Sequence, residues 1–395
     1  MLMDNVLLAF ETGAGMLWKA LWALVFGYII SAGIQVLVRR EQMARALGER
    51  TPAKAALAGF FGFISSSCSF AALAASRSVF AKGAHPANAV AFLIASTNLV
   101  IELGIVLWVL VGWRFTLGNF LLGLFMMIYA YLLTSLLLPR KLAEGARDHA
   151  ETQMSAENAD EEEEGGENRS WKEQLRSSAG WNAIASAFVK EWKMVWKELL
   201  FGFTMAGFIT VFVPQSFWNA IFLIGGATDS ADPGFLIVLE NALVAPVVAF
   251  FTFIGSMGNI PLAAMLWSKN ASFGGVMSFL GADLVAATVI WVHAKYYGWR
   301  YALTLSALLY ISMVAAGISV HYFFKFAGLI PDARPPVEEM VAFAIDYTFF
   351  LNLAFLVVAA MLFLLHRRTN KAALRERSSK NHGGLPSSAE DRRKK

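Results

Sequence analysis

Phe61-Gly62-Phe63-Ile64-Ser65-Ser66-Ser67-Cys68-Ser69 and Phe251-Thr252-Phe253-Ile254-Gly255-Ser256-Met257-Gly258-Asn259-Ile260-Pro261 share one pattern. In each, an apolar approach gives way to small and polar residues. The first lies within the apolar stretch 55–75. The second lies within 235–267, which also holds Glu240 and Pro246. Lipid cannot satisfy backbone N–H and C=O groups, so a helix interrupted at membrane depth must be buried in protein or line a wet cavity. Both stretches read as broken helices.

Around them the chain is 57% apolar and 16% charged, with a mean hydropathy of +0.53. Soluble domains carry roughly 45–50% apolar and 25% charged residues. About 20 apolar helical residues cross a bilayer, and six stretches qualify: 18–38, 87–111, 115–138, 273–293, 301–323 and 341–365. A seventh, 199–213, is shorter; it ends at Pro214 and is completed by the residues from Val195. The single cysteine, Cys68, excludes a disulfide scaffold. The net charge of +4, with Lys and Arg at span ends and in a tail, excludes a nucleic-acid reader. Asp4 and Glu11 make the first 17 residues unlike a cleavable signal.

The chain also repeats itself. Gly112-Trp113-Arg114-Phe115-Thr116-Leu117 matches Gly298-Trp299-Arg300-Tyr301-Ala302-Leu303, 186 residues on, and Phe61–Ser66 matches Phe251–Ser256 at 190. Two matches in the same order point to duplicated halves. Basic residues in short loops mark the cytoplasmic side. Arg39, Arg40, Arg45, Arg50, Lys54, Arg77, Lys82, Arg140 and Lys141 share that side only if 55–75 enters and leaves there. With Lys295 and Arg300 inside, the second broken segment enters from outside and the halves are inverted. The expected fold is an all-α polytopic membrane protein of two inverted repeats, about seven spans plus two re-entrant or broken helices. The alternative is eight or nine full spans.

The domain plan follows. Residues 1–139 form the first transmembrane repeat, 198–325 the second, and 326–366 an outer loop with the final span. Residues 140–197 are a cytoplasmic linker. Its acidic centre, 144–170, is too poor in apolar residues to fold. Its Trp171, Trp181, Trp192 and Trp196, interleaved with lysines, suggest an interfacial helix leading into the next span. Residues 367–395 are a basic cytoplasmic tail.

The broken segments carry the expected chemistry. Ser65, Ser66, Ser67, Cys68, Ser69 and Asn98 on one side, and Ser256, Gly258, Asn259 and Pro261 on the other, are the candidate substrate-binding residues. Asn259 reads as a cap, and Pro261 as the first turn of the helix after the break. Ionisable groups inside a membrane are costly and mark function. Glu102, Asp283 and Glu240 are therefore the candidates for proton or ion coupling. Asn98 and Glu102 fall one helical turn apart, and Asp283 aligns with Thr97. Asp346 and Asn352 lie in the last span, and His293 reads as an interfacial anchor. No catalytic residue, metal site or cofactor is expected. His-Glu-x-x-His, Gly-x-Ser-x-Gly and phosphate-loop motifs do not occur.

Ser65-Ser66-Ser67-Cys68-Ser69-Phe70-Ala71-Ala72, Ala95-Ser96-Thr97-Asn98-Leu99-Val100-Ile101-Glu102-Leu103-Gly104, Ser256-Met257-Gly258-Asn259-Ile260-Pro261-Leu262-Ala263, Ser272-Phe273-Gly274-Gly275-Val276 and Ala282-Asp283-Leu284 resemble the ArsP/YraQ-type predicted permeases. The resemblance covers most of 18–365. It implies a bacterial inner-membrane permease in a family some of whose members export trivalent organoarsenicals. Many such proteins carry a Cys-Ser-Cys element in the first break and a cysteine before Ser-x-Gly-Asn in the second. Here only Cys68 is kept, and Gly255 stands at the second position, so the permease assignment carries over and the substrate does not.

The expected function is an ion-coupled secondary transporter exporting a small solute by alternating access, with a metalloid or organoarsenical among the solutes considered. The alternatives are a channel, or a sensor or scaffold using the acidic linker. The expected partners are membrane lipid and a small-molecule or metalloid substrate, and no nucleic acid.

Overall fold

The computed structural model describes residues 2–37, 47–65, 69–158, 177–222, 233–252, 256–334 and 347–382. Their order is α1 (Leu2–Leu37), α2 (Pro52–Ile64), α3 (Ser69–Ala81), α4 (Pro86–Asn98), α5 (Ile101–Leu110), α6 (Trp113–Leu137), α7 (Arg140–Asn158), α8 (Ser178–Phe212), α9 (Gln215–Ile221), α10 (Phe235–Thr252), α11 (Ser256–Ser268), α12 (Phe273–Leu280), a 3₁₀ turn (Gly281–Val285), α13 (Ala287–Tyr297), α14 (Trp299–Phe326) and α15 (Tyr347–His382). Among the described residues, seven segments are long and apolar enough to cross a membrane: Met3–Gly33, Pro86–Leu110, Trp113–Leu137, Ser178–Phe212, Phe273–Tyr297, Trp299–Phe326 and Tyr347–Thr369. The protein is an all-α polytopic membrane protein.

The first crossing starts well before Trp18. α1 has 36 residues, which at 1.5 Å per residue is about 54 Å. Its partner α8 runs unbroken for 35 residues, so the interfacial helix and the span expected after it are one rod. The two pack antiparallel. A Cβ on Gly13 would lie 2.7 Å from the Phe203 carbonyl oxygen, and Gly207 faces the Ala9 carbonyl. Small residues at such positions let helices approach within lipid. Farther along, the Tyr28 and Trp192 rings meet at 5.9 Å, and the Ser31 hydroxyl donates to buried Glu191 at 2.9 Å. Trp192 is therefore interior packing, whereas Trp181 and Trp196 stay exposed. Trp171 lies outside the described residues. α8 ends at the expected place, with Val213 as its cap before Pro214.

α2 and α3 form a hairpin that enters and leaves at one end. Thr51 caps α2 and Pro52 opens it, the usual pairing at a helix start. Asn88, in the first turn of α4, donates to the Leu47 and Glu49 carbonyls at 2.9 and 2.8 Å. The approach to α2 thus lies beside the α3–α4 loop. The Phe80 ring at the end of α3 stacks on Tyr301 in the first turn of α14 at 5.9 Å. The hairpin of α10 and α11 opens at the opposite end of α14. There Phe235 meets Tyr322 at 6.3 Å, and Phe273, just after α11, meets Phe324 at 4.7 Å. These contacts lie 21 to 23 residues apart on α14, so the two mouths are separated by roughly 30–35 Å.

Two crossings expected as continuous helices are themselves broken. The chain leaves the helix at Leu99–Val100, Val100 being extended (φ −83°, ψ 141°), and again at Gly281–Ala286 (Ala286 φ −56°, ψ 146°). The breaks are in register. α5 and α13 begin at residues 101 and 287, and α6 and α14 at 113 and 299, each 186 apart. Gly112 and Gly298 precede α6 and α14 with φ of +104° and +83°, a conformation that excludes residues with a Cβ at low cost.

α7 corrects the expectation for the linker. Arg140–Asn158 is helical although 144–170 reads as too polar to fold. The reason is tertiary: Ala146 and Ala150 are buried against the bundle, and His149 Nε2 lies 3.1 Å from the Lys295 carbonyl oxygen. The acidic run 160–164 lies outside the described residues.

Candidate functional site

Proline shapes the second hairpin. Pro246 lies inside α10 and Pro261 inside α11. Each lacks an N–H and so cannot bond the carbonyl four residues back. For Pro246 that carbonyl is Ala242, and the Ser278 hydroxyl of α12 donates to it at 2.8 Å. For Pro261 it is Met257, the second residue of α11. The helix begins at Ser256, so Pro261 is not in its first turn and Asn259 is not its cap. Both expectations are corrected, because the helix forms upstream of the proline and accepts one missing bond.

Asn259 is instead fully buried, and neither atom of its amide has a hydrogen-bond partner among the described residues. Leaving such a group unmet is costly. Gly258 sits against Gly202 of α8, where a Cβ would come within 2.8 Å of Cα. At the start of α11, the Ser256 hydroxyl donates to Asp283 Oδ2 at 2.5 Å. Asp283 is fully buried in the 3₁₀ turn. The tip of the second hairpin is thereby joined to the break in the neighbouring crossing.

The first half is built differently. Ser65 ends α2 with its hydroxyl buried and without a partner among the described residues, as is that of Ser96. Gly62, one turn before Ser65, faces the Phe92 carbonyl and the Ser96 nitrogen. Ser69 opens α3, and Ser66, Ser67 and Cys68 lie outside the described residues. At the break after α4, the Asn119 amide of α6 donates to the Asn98 carbonyl at 2.8 Å, and Thr97 donates to Asn98 Oδ1 at 2.9 Å. Asn119 thus supplies a donor that the interrupted helix lacks.

The coupling candidates part company here. Asn98 and Glu102 do not share a helical face, because the break falls between them. Glu102 lies buried in the first turn of α5, where a helix dipole favours a carboxylate, against Gly27 of α1. Glu240 is half-buried near the mouth of the second hairpin. It accepts from Asn241 at 2.6 Å, and Asn241 in turn accepts from the Ser272 N–H at 2.7 Å. Twelve helical residues separate Glu240 from the end of α10, about 18 Å along the axis. His293 is 1% exposed and stacked on Tyr297 rather than interfacial. Asn352 clips α15 to α1 by accepting from the Trp22 N–H and donating to the Trp18 carbonyl, groups one turn apart on α1. Asp346 lies outside the described residues. The buried Glu191–Ser31 pair leaves no signal in the sequence, since Glu191 sits in a Lys/Trp-rich stretch that looks interfacial.

Among the described residues, seven segments long and apolar enough to cross a membrane, two hairpins with opposed mouths, and polar groups buried where helices break fit a multi-pass membrane protein of the permease class. The chain belongs to the ArsP-type family described as "Predicted permease", whose model matches residues 5–322. It is 40% identical over 330 residues to a Mycobacterium tuberculosis (strain ATCC 25618 / H37Rv) protein named "Putative permease Rv2963", covering 82% of this chain and 79% of that protein. No solved structure matches it. The family points to a membrane transporter rather than an enzyme.

Proposed function

We propose that the chain is an ion-coupled secondary transporter of the bacterial inner membrane that exports a small solute by alternating access. Its halves are inverted copies that rock against each other, and cargo is held where the hairpin tips meet the broken crossings. The Ser256–Asp283 hydrogen bond carries this reading, because it ties hairpin to crossing through a buried carboxyl group. A proton taken up by Asp283 would weaken its hold on Ser256, and one released would restore it. Gradient and hairpin movement are coupled in this way. Glu102, buried beside the break of the first half though not at the position that aligns with Asp283, is the second coupling candidate, and Glu240 belongs with the mouth.

Asn259 offers cargo two donors and an acceptor. From the first half, Ser65, Ser66, Ser67, Cys68, Ser69 and Asn98 are the residues assigned to cargo by their chemistry, and Gly258 and Pro261 are assigned from the second. Cys68 suits a soft solute such as a trivalent metalloid or organoarsenical. A single thiol does not make a chelate, which favours release.

The test uses cells expressing the chain, challenged with methylarsenite, arsenite and other metalloids, and then proteoliposomes with an imposed pH gradient. N259A is expected to lower flux about tenfold at unchanged insertion, and D283N to flatten its pH dependence. Unchanged flux in N259A together with an unchanged pH profile in D283N refutes the reading. Unsaturable current without gradient coupling would make the protein a channel.

A further inference from the structure

We propose that a cavity between the α3–α4 loop, the end of α6 and the start of α7 binds a phosphate-type oxyanion, borne by a lipid headgroup or by free phosphate. The cavity measures about 370 Å³ and is lined by Gly48, Arg50, Gly83, His85, Pro86, Thr134, Ser135, Leu138, Arg140, Ala143, Glu144 and Arg147. It lies apart from the hairpin tips, at the mouth of the first hairpin.

Three guanidinium groups face one carboxylate, Glu144, so the cavity favours an anion. Arg147 is held in place: it donates to the Phe80 carbonyl at 3.2 Å and the Ala84 carbonyl at 2.7 Å, with its guanidinium 4.9 Å from the Phe80 ring centre. Its Nη1 takes no part in those bonds. A fixed guanidinium recognises phosphate oxygens at little entropic cost. The start of α4 contributes no donors, since Pro86 has no N–H and the N–H groups of Ala87, Asn88 and Ala89 are already taken by His85. Recognition therefore rests on side chains.

A second observation points the same way. Thr134 is 2% exposed, yet its hydroxyl has no partner among the described residues, and neither does that of Ser135. Helical Thr and Ser ordinarily bond a carbonyl one turn back. Two unmet hydroxyls in the wall of a basic cavity are suited to an oxyanion. Leu136 and Leu137, on the same turn, are 72% and 58% exposed. The apolar face of α6 thus ends beside the cavity, which sets it at headgroup level. Burial, then Arg50, Arg147 and Arg140, hold His85 below the usual imidazole range. An anion shared by those arginines and set against Glu144 would raise it, so binding tightens as pH falls.

The experiment is native mass spectrometry of the full chain in detergent, titrated with phosphatidylglycerol, and separately thermal shift with millimolar inorganic phosphate. The double variant R50Q/R140Q alters exposed side chains and leaves Arg147 in place. K54Q/K82Q removes equal charge from the same face outside the cavity. Saturable phosphatidylglycerol binding that R50Q/R140Q weakens about tenfold and K54Q/K82Q spares supports a lipid source. The same pattern with inorganic phosphate supports a free anion. Equal losses in the two double variants, or no binding of either probe, overturn the proposal.

Discussion

Pro246 shows how one residue sets a contact between helices. Its ring removes the donor for the Ala242 carbonyl, and Ser278 supplies one from α12. S278A should cost about 1 kcal/mol in thermal unfolding. In a P246A background the restored N–H can bond Ala242, so the same change should cost much less. Additive effects in that double-mutant cycle would refute the exchange. His85 gives a pH test at this scale. Its Nδ1 accepts from the Ala87 N–H at 3.2 Å, and its folded pKa lies below the usual 6.5. Above pH 6.5 both folded and unfolded forms are neutral and nothing is lost. Below it the unfolded chain takes up a proton that the folded chain refuses, and stability falls. H85N keeps a capping oxygen without titrating. The stability of the unsubstituted chain should therefore drop relative to H85N as pH falls from 7 to 5; a constant difference removes the effect.

At the scale of elements, amphipathic sequence and apolar length were easy to read and helix interruptions were not. The Ser-rich and Gly-rich tips announce themselves by composition. The break after Asn98 does not, because Leu99, Val100 and Ile101 suit a membrane helix. It exists because Asn119, on another helix, holds the Asn98 carbonyl. Polar composition likewise hid α7, which is stabilised by docking. Ala150 is fully buried there, so A150D should destabilise that docking by about 2 kcal/mol or more. Limited proteolysis within 140–158 would report it, and unchanged cleavage would show the docking to be weak.

For the whole molecule, the opposed mouths make a prediction about sidedness. In a C68S background, K54C and K82C should react with an impermeant maleimide from one face of the membrane, and K269C from the other. If Lys54 and Lys82 label from opposite faces, the first broken segment crosses fully and the nine-span arrangement replaces the hairpin. α5 and α13, and α6 and α14, start 186 residues apart, the same separation as Gly112–Leu117 and Gly298–Leu303.

Local order of residues was enough to establish the membrane class and the family, because lipid demands long apolar helices. Which buried polar groups meet was beyond its reach. Ser256 and Asp283 lie 27 residues apart, Asn119 and Asn98 lie 21 apart, and α1 meets α8 across more than a hundred residues. Such pairs arise when helices pack and orphaned donors and acceptors find partners on other helices. That pairing depends on three-dimensional proximity, which composition and periodicity along one helix do not record.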